Sequence, residues 1–258
     1  MNDALYIAAT GLGAQQSNVE TIANNLANVN TPGFKRAALN FESLMRSESA
    51  EAGQPGAAAL PRGKALGVGV AGLLRHFEAG ELRRTDAAMD LAVRGEGFLE
   101  VQLPDGTAGF VRGGTLMVTA DGQLATAAGH LLRPGVNIGR DAKDLRIAAD
   151  GAVSVLDAAS GRRVEVGRLE LVSFTNAGGL EPLGDGAYRA SAASGEAQPA
   201  HAAENGAGSF AQGYVEASNV KLVDEMVNLM VAQRAYEMNV KVIQAADEML
   251  GMSNNLRK

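Results

Sequence analysis

The stretch Val220–Leu250 reads VKLVDEMVNLMVAQRAYEMNVKVIQAADEML and decides the architecture of the chain. Apolar residues recur along it at alternating steps of four and three, which is the spacing of a helical seam that faces a partner helix. Only Gln233 and Asp247 interrupt this seam with polar side chains. Its apolar members are Leu222, Met226, Leu229, Tyr236, Val240, Ile243 and Leu250.

The residues around this seam predict where the helix begins and ends. Ser218 and Asn219 are suitable N-caps, and Asp224 and Glu225 suit the positive end of the helix dipole. Gly251 offers a stop at the other end. A helix of about thirty residues would be roughly 45 Å long. Such a helix has a seam but no core, so it needs a partner.

A second apolar stripe at the N-terminus supplies the partner. It predicts a helix from residue 1 to about residue 30, ended by the turn signal Thr31-Pro32-Gly33. Narrow stripes of this kind favour a coiled coil, and the alternative is two surface helices that pack on the middle of the chain. Gln15, Gln233 and Asp247 either fix the register or face solvent in a seam with another phase. The stripe contains Leu5, Ala8, Leu12, Gln15, Val19, Ile22, Leu26 and Val29.

The middle of the chain, from Glu81 to about Phe210, has the pattern of short β-strands. Asp-Gly pairs, such as Asp105-Gly106 and Asp185-Gly186, separate the apolar runs and supply the positive φ angles of tight turns. The fold class is therefore α+β, with long terminal coiled-coil-forming helices that flank a β-rich, partly barrel-like domain. We expect strands around Leu91, Phe98, Phe110, Leu116, Leu131, Leu145, Val153, Val164 and Leu169, and a loop from Ser191 to Gly208.

The segment between the first helix and the β domain has another composition. Residues 47–63 are rich in Ala, Gly, Ser and Glu and show no sustained period, which predicts an extended or partly disordered stretch. Leu66–Leu74 alternates glycine with valine and leucine and is compatible with a strand. The predicted division is 1–45 for the N-terminal helix and transition, 46–80 for the extended segment, 81–212 for the β domain and 213–258 for the C-terminal helix.

Two separated motifs resemble those of a known family. The stretch ANNLANVNTPGFKR at residues 23–36 is similar to the N-terminal signature of bacterial flagellar rod and hook proteins, the axial subunits of the basal body. GYVEASNV at 213–220 and QRAYE at 233–237 resemble the other signature of that family, and GEGF at 95–98 matches in the middle. The resemblance covers nearly the whole chain and is strongest to the distal-rod type, followed by the proximal-rod type.

This resemblance implies a structural subunit of the basal body that spans the periplasm. It would be exported without a cleaved signal and would polymerise into a helical tube that transmits torque from motor to hook. The implied partners are further copies, other rod proteins, hook or junction proteins and the outer ring proteins that form a bushing. Residues 46–64 would stiffen the tube. We predict an assembly interface made of the apolar members of both stripes together with Asn24, Asn25, Asn28, Pro32, Gly33 and Phe34.

Composition excludes several other classes. The net charge of −6 argues against a general nucleic-acid binder, and no apolar run approaches the length that spans a membrane. The absence of cysteine excludes disulfides, cysteine catalysis and thiolate metal sites. A secreted binding module on a helical stalk is the alternative from another class. It is disfavoured because the middle of the chain is poor in tryptophan and tyrosine.

We expect no catalytic, metal or cofactor site. His76, His130 and His201 do not have metal-ligand spacing, so scattered surface histidines are favoured. Asp86 and Asp90 are interpreted as part of a local charge cluster rather than as a catalytic carboxylate pair. Gly95-Glu96-Gly97 lacks the third glycine and the following helix of a phosphate-binding loop. The five methionines of the last helix predict an adaptable packing surface.

Overall fold

The computed structural model describes residues 2–47, 63–139, 143–157, 161–204 and 207–255. The predicted α+β class is confirmed: one helix begins the chain, another ends it, and a curled half-barrel sheet lies between them in sequence. The chain divides into two compact units. Unit 1 comprises Met1–Ala27, Ala37–Leu74 and Lys221–Lys258, and unit 2 comprises Asn28–Arg36 and Arg75–Val220.

Unit 1 is a helix pair with a two-stranded ribbon. Helix α1 spans Asn2–Ala27 and helix α2 spans Leu222–Asn255. The two helices run antiparallel, because Asn25 near the end of α1 contacts Glu225 at the start of α2, whereas Gly11 lies beside Asn239 farther along α2. Strands β1 (Ala37–Ser47) and β2 (Gly63–Arg75) pair with each other.

The helix ends differ from the predicted ones. Helix α1 stops at Ala27, and a turn then leads to Gly33, whose φ of +71° confirms the predicted glycine turn. Helix α2 continues through Gly251 to Asn255, so the predicted stop at that glycine is wrong. Nothing lies within 4 Å of the position of a Cβ on Gly251. Glycine costs only about 1 kcal/mol relative to alanine inside a helix, which is too little to end α2 at this position.

Unit 2 contains sixteen strands among its described residues. An eleven-stranded antiparallel sheet forms the half barrel, with β10, β11 and β12 as a separate three-stranded sheet and β3 paired with β18. The strands are β3 (Leu82–Arg84), β4 (Asp90–Arg94), β5 (Phe98–Gln102), β6 (Ala108–Val111), β7 (Gly113–Val118), β8 (Leu124–Thr126), β9 (Leu131–Arg133), β10 (Lys143–Ile147), β11 (Ala152–Leu156), β12 (Arg163–Arg168), β13 (Leu171–Ser173), β14 (Glu181–Gly184), β15 (Ala187–Arg189), β16 (Gln198–Ala200), β17 (Ser209–Gln212) and β18 (Tyr214–Glu216).

Large aliphatic side chains fill the core of unit 2. Leu91, Leu99 and Leu171, on strands β4, β5 and β13, are completely buried and belong to one cluster of aliphatic side chains. A smaller aromatic cluster contains Phe98, whose ring lies 5.3 Å from that of Phe77 in an edge-to-face arrangement. Unit 2 thus has the closed core of an independent domain.

The predicted strands are confirmed, with one shift. All nine apolar runs named above coincide with strands, except that the run at Leu169 enters its strand only at Leu171. The predicted loop from Ser191 to Gly208 contains the short strand β16. The strand expected at Leu66–Leu74 lies within the longer β2. Residues 48–62, most of the predicted extended stretch, lie outside the described residues, and the four-part division stays a prediction.

Candidate functional site

Small side chains form the enclosed side of the helix pair in unit 1. Ala8 and Ala14 of α1 are buried, and so are Ala232 and Ala246 of α2. A Cβ added to Gly11 would lie 3.1 Å from Nδ2 of Asn239. Small residues let helix backbones approach each other closely, so the pair closes on its alanine and glycine side.

The buried side of α2 has a different phase from the predicted seam. It passes through Glu225, Ala232 and Ala246, whereas Leu222 and Met226 of the predicted seam are about half exposed. Gln233 and Asp247 are also exposed. Within the subunit they therefore face solvent, which is the second of the two alternatives predicted for them. The physical reason is size, because the alanine side allows closer packing than the side that carries leucine and methionine.

The bulky apolar residues of α2 remain on its outside. We name as the outer stripe the residues that recur at steps of three and four about 120° around the helix from the buried side. Met238 is the most exposed of them, at 67%, and Val231 is 62% exposed. The outer stripe consists of Val227, Val231, Ala235, Met238, Val242, Ala245, Met249 and Met252. It gives α2 an apolar face that is largely exposed in the single subunit.

Asn25 is the polar centre of the enclosed side. It is 1% exposed, and its amide both donates to the carbonyl oxygen of Ala37 at 2.7 Å and accepts from the Ala37 N–H at 3.0 Å. Its Nδ2 also lies 3.4 Å from Oε2 of Glu225, which is fully buried. The asparagine therefore holds the first residue of β1 and reaches α2. Glu225, predicted only as a dipole partner, lies inside the pair.

The other predicted interface residues fall into three groups. Ile22 is buried, while Asn24, Pro32 and Tyr236 are exposed. The side chain of Leu250 lies outside the described part of the chain. Their role in assembly stays a prediction. The half-buried members are Leu5, Leu12, Val19, Leu26, Asn28, Val29, Gly33, Phe34, Leu229, Val240 and Ile243.

Unit 2 contains a second polar centre, the buried ion cluster of Lys35, Arg112 and Glu216. The ammonium of Lys35, 0% exposed, lies 2.6 Å from Oε1 of Glu216. Nε of Arg112 lies 3.1 Å from Oε2 of the same carboxylate. The N–H of Gly80 also donates to Oε1 at 2.8 Å. One carboxylate thus receives hydrogen bonds from three distant segments of the chain.

Burial and charge act against each other in this cluster. Burial lowers the pKa of Lys35, and Glu216 only partly offsets that effect. Burial by itself raises the pKa of the Glu216 carboxyl, but Arg112 and then Lys35 outweigh it and leave the pKa below its ordinary value. The 2.6 Å contact between the Lys35 ammonium and the Glu216 carboxylate is a buried ion pair. A buried pair of this kind is costly to break, because the remaining charge has no water to solvate it.

The motif Gly95-Glu96-Gly97 serves this cluster rather than a phosphate. The guanidinium of Arg112 donates to the carbonyl oxygens of Gly95 and Gly97, at 2.8 and 3.1 Å. Both glycines have positive φ angles of +97° and +131°, which turn their carbonyls toward the arginine. Arg112 also lies over the ring of Phe98, 5.7 Å from its centre.

Asn219 is used differently from the predicted cap. Its Oδ1 accepts from the Arg36 N–H, and its Nδ2 donates to the carbonyl of His76, each at 2.7 Å. It therefore joins three segments of unit 2. The sequence contains Lys35, Glu216 and Asn219 inside the two quoted signatures, but the Lys35–Glu216 and Asn219–His76 contacts join residues 181 and 143 positions apart. A single sequence has no local signal for such pairings.

The histidines and carboxylates considered as candidate catalytic or metal-binding residues do not form a site among the described residues. Within the described residues, no three His, Cys, Asp or Glu side chains are grouped so that they could hold a metal ion. Asp86 pairs with exposed Arg84 at 2.6 Å, in agreement with the predicted charge cluster, whereas Asp90 accepts from the Thr115 hydroxyl at 2.7 Å.

Neither helix has, over its described residues, the length and hydropathy needed to cross a membrane.

Three family models match separate stretches of the chain. The model described as "Flagella basal body rod protein" matches residues 5–35. "Flagellar hook protein FlgE/F/G D1 domain" matches residues 92–155, and "Flagellar basal body rod FlgEFG protein C-terminal" matches residues 211–256. The matched stretches include α1, the central strands of unit 2 and α2.

Whole-length relatives agree with these matches. The flagellar basal-body rod protein FlgG of Buchnera aphidicola is 43% identical over 97% of this chain and 98% of its own length. FlgG of Caulobacter vibrioides is 41% identical over 98% and 99%. The rod protein FlgF of Salmonella typhimurium is also similar, at 32% identity over 99% and 98%. The chain therefore belongs to the FlgG family of flagellar basal-body rod proteins.

Proposed function

We propose that this chain is the structural subunit of the distal rod, and that its copies polymerise into a helical tube through the outer stripe of α2. Membership of the rod family supports the structural role. The position of the assembly surface is inferred from the exposure of the bulky apolar residues along α2. Monomeric proteins rarely leave a continuous apolar surface of this length uncovered.

The outer stripe has the form of a coiled-coil seam. Its residues follow alternating steps of four and three from Val231 to Met252, and with Val227 the stripe spans 26 of the 34 residues of α2. A seam of this spacing keeps facing a neighbouring helix along its length. We propose that a helix of a second copy covers it, on a seam different from the one predicted through Leu222 and Leu229.

The exposed side of α1 is a suitable partner surface. Ala9, Gly13 and Ala23 are exposed and small, and a Cβ on Gly13 would meet nothing within 4 Å. Small residues form a shallow groove into which methionine and valine side chains can insert. Exposed Glu20 on this side of α1 is opposite in charge to exposed Lys241 on α2. We propose that α2 of one copy packs on α1 of the next.

Such a contact joins two different surfaces and is therefore heterologous. Heterologous contacts that do not close into a ring generate helical filaments, which is the geometry of a rod. The tube would transmit torque from motor to hook. We propose further copies, other rod proteins, hook or junction proteins and the outer ring bushing proteins as its neighbours.

The test is a charge placed on the outer stripe. We expect Met238→Glu to raise the protein concentration needed for polymerisation at least about tenfold, because the carboxylate would have to lose its water at the contact. Sedimentation over a concentration series, with electron microscopy of the pellets, measures this.

Val164→Glu is the matched control. Val164 is 47% exposed on β12 of unit 2, so the same charge enters a surface outside the helices. Polymerisation of both variants at the wild-type concentration would contradict the proposed contact. Complementation of a cell that lacks its distal-rod subunit, compared with one that lacks its proximal-rod subunit, separates the two rod types.

A further inference from the structure

The buried ion cluster joins the three stretches that the family models match. Lys35 lies in the first stretch, Arg112 in the second and Glu216 in the third. Lys35 and Glu216 are 181 positions apart in sequence, and Arg112 and Glu216 are 104 apart. The carboxylate of Glu216 contacts both cations, so all three stretches meet at this group.

Backbone groups also hydrogen-bond to Glu216 and Lys35. The main-chain carbonyl oxygen of Glu216 accepts from the N–H of Gly33 at 2.8 Å. Gly33 belongs to the segment that follows α1. The side chain of Glu216 accepts from the Gly80 N–H, in the segment that follows β2. Lys35 also donates to the carbonyl oxygen of Glu78 at 2.7 Å. Glu216 itself lies six residues before α2.

We infer that Glu216 is a positioning residue that locks together the segments following α1, following β2 and preceding α2, so that these segments become ordered only when all of them are present. The lock belongs to unit 2 and forms in the single subunit. It acts before and independently of polymerisation, and its failure would leave the proposed assembly contact untouched.

The charges of the cluster make this inference specific. Two cations and one anion give a formal charge of +1, from Lys35, Arg112 and Glu216. Replacing Glu216 by Gln leaves two buried cations without an anion. Replacing Lys35 by Met leaves a neutral Arg112–Glu216 pair and keeps an unbranched apolar side chain in the space of the lysine stem. The lock should therefore tolerate loss of the lysine far better than loss of the carboxylate.

The test measures amide hydrogen exchange of Gly33, Gly80 and Ala217 in the full-length chain at a dilution where it is monomeric. In Glu216→Gln, exchange at these amides should speed up at least about tenfold, because the lock opens locally. Amides of β11 and β12 should keep their rates, since these strands belong to a separate three-stranded sheet that contains no residue of the cluster. Lys35→Met should stay within about threefold of the wild type.

The double variant Lys35→Met with Glu216→Gln decides the case even if Glu216→Gln alone unfolds. It leaves Arg112 with its carbonyl partners and one uncompensated cation in place of two, so its exchange should be slower than that of Glu216→Gln. Glu181→Gln on exposed β14 is the control for the loss of one negative charge. Equal or faster exchange in the double variant, or exchange that rises evenly over unit 2, would overturn the inference.

Discussion

The two units of this chain use apolar residues in opposite ways. Unit 2 places its large aliphatic side chains inside, and Leu91, Leu99 and Leu171 have no exposed surface. Unit 1 places alanines inside its helix pair and leaves valines and methionines of α2 outside. A domain that buries its large residues is complete by itself, whereas a helix pair that exposes them gains most of its apolar burial from neighbours.

The most direct test of this difference between the units is to shorten one large side chain in each of them. Leu99→Ala in unit 2 should lower the free energy of unfolding by about 2–5 kcal/mol, because it leaves a cavity in a closed core. Met238→Ala on the outer stripe should change it by less than about 0.5 kcal/mol. Urea denaturation of the dilute subunit measures both. Similar losses for the two variants would show that α2 is already covered within the subunit.

A second comparison uses two adjacent asparagines of α1. Asn25→Ala should destabilise the subunit by about 1–3 kcal/mol, because the buried N–H and carbonyl of Ala37 lose their partner. Asn24→Ala, at an exposed position, should cost less than about 0.5 kcal/mol. Thermal unfolding, followed by the far-ultraviolet circular dichroism of the helices, measures the difference. Equal effects would place the polar centre of unit 1 elsewhere.

The pH dependence of unit 2 provides a third, smaller effect. The folded-state pKa of Glu216 lies below its ordinary value, so its contribution to stability is present above that ordinary value and is lost as the pH falls through the folded pKa. Lys35 has a lowered pKa, so its own contribution instead rises as the pH increases from the folded pKa toward 10.5. Denaturation midpoints measured in acid should fall less steeply for Glu216→Gln. An unchanged acid slope would contradict the ion-pair assignment.

The smallest effect concerns the glycines of α1. Gly13→Ala should stabilise the dilute subunit by up to about 1 kcal/mol, because the position is exposed and open and alanine favours helix. Gly11→Ala should gain less, since its Cβ would lie 3.1 Å from Asn239. Thermal unfolding compares the two variants. A larger gain at Gly11 would mean that the helices approach less closely than the structure shows.

Sequence reasoning succeeds where the determinant is local. The period of 3.6 residues predicts both helices, and the Asp-Gly turns and apolar runs predict most strands of unit 2. It does not predict which side of α2 faces α1 within the subunit, because the choice between an alanine side and a leucine side depends on how closely α1 approaches. The ends of a helix also depend on packing, as Gly251 shows by lying inside α2.

The polar centres show the same limit more strongly. Asn25 is predicted as an interface residue, and its bond to the backbone of Ala37 requires knowledge of where β1 begins. The buried ion cluster needs contacts between Lys35, Arg112 and Glu216 across most of the chain. Charge and spacing within one sequence do not specify which distant charges will meet. The outer stripe, in contrast, can be recognised in the sequence as a repeat of apolar residues once the buried side of α2 is known.

Methionine oxidation in the dilute and the polymerised protein tests the central claim most directly. Met238 and Met249 lie on the outer stripe, and Met117 is 42% exposed on β7 of unit 2 and serves as an internal reference. Brief peroxide treatment followed by mass spectrometry gives the oxidised fraction at each position. We expect Met238 and Met249 to oxidise readily in the dilute subunit and to be protected in the polymer relative to Met117. Equal oxidation of Met238 in both states would contradict an assembly surface on the outer stripe.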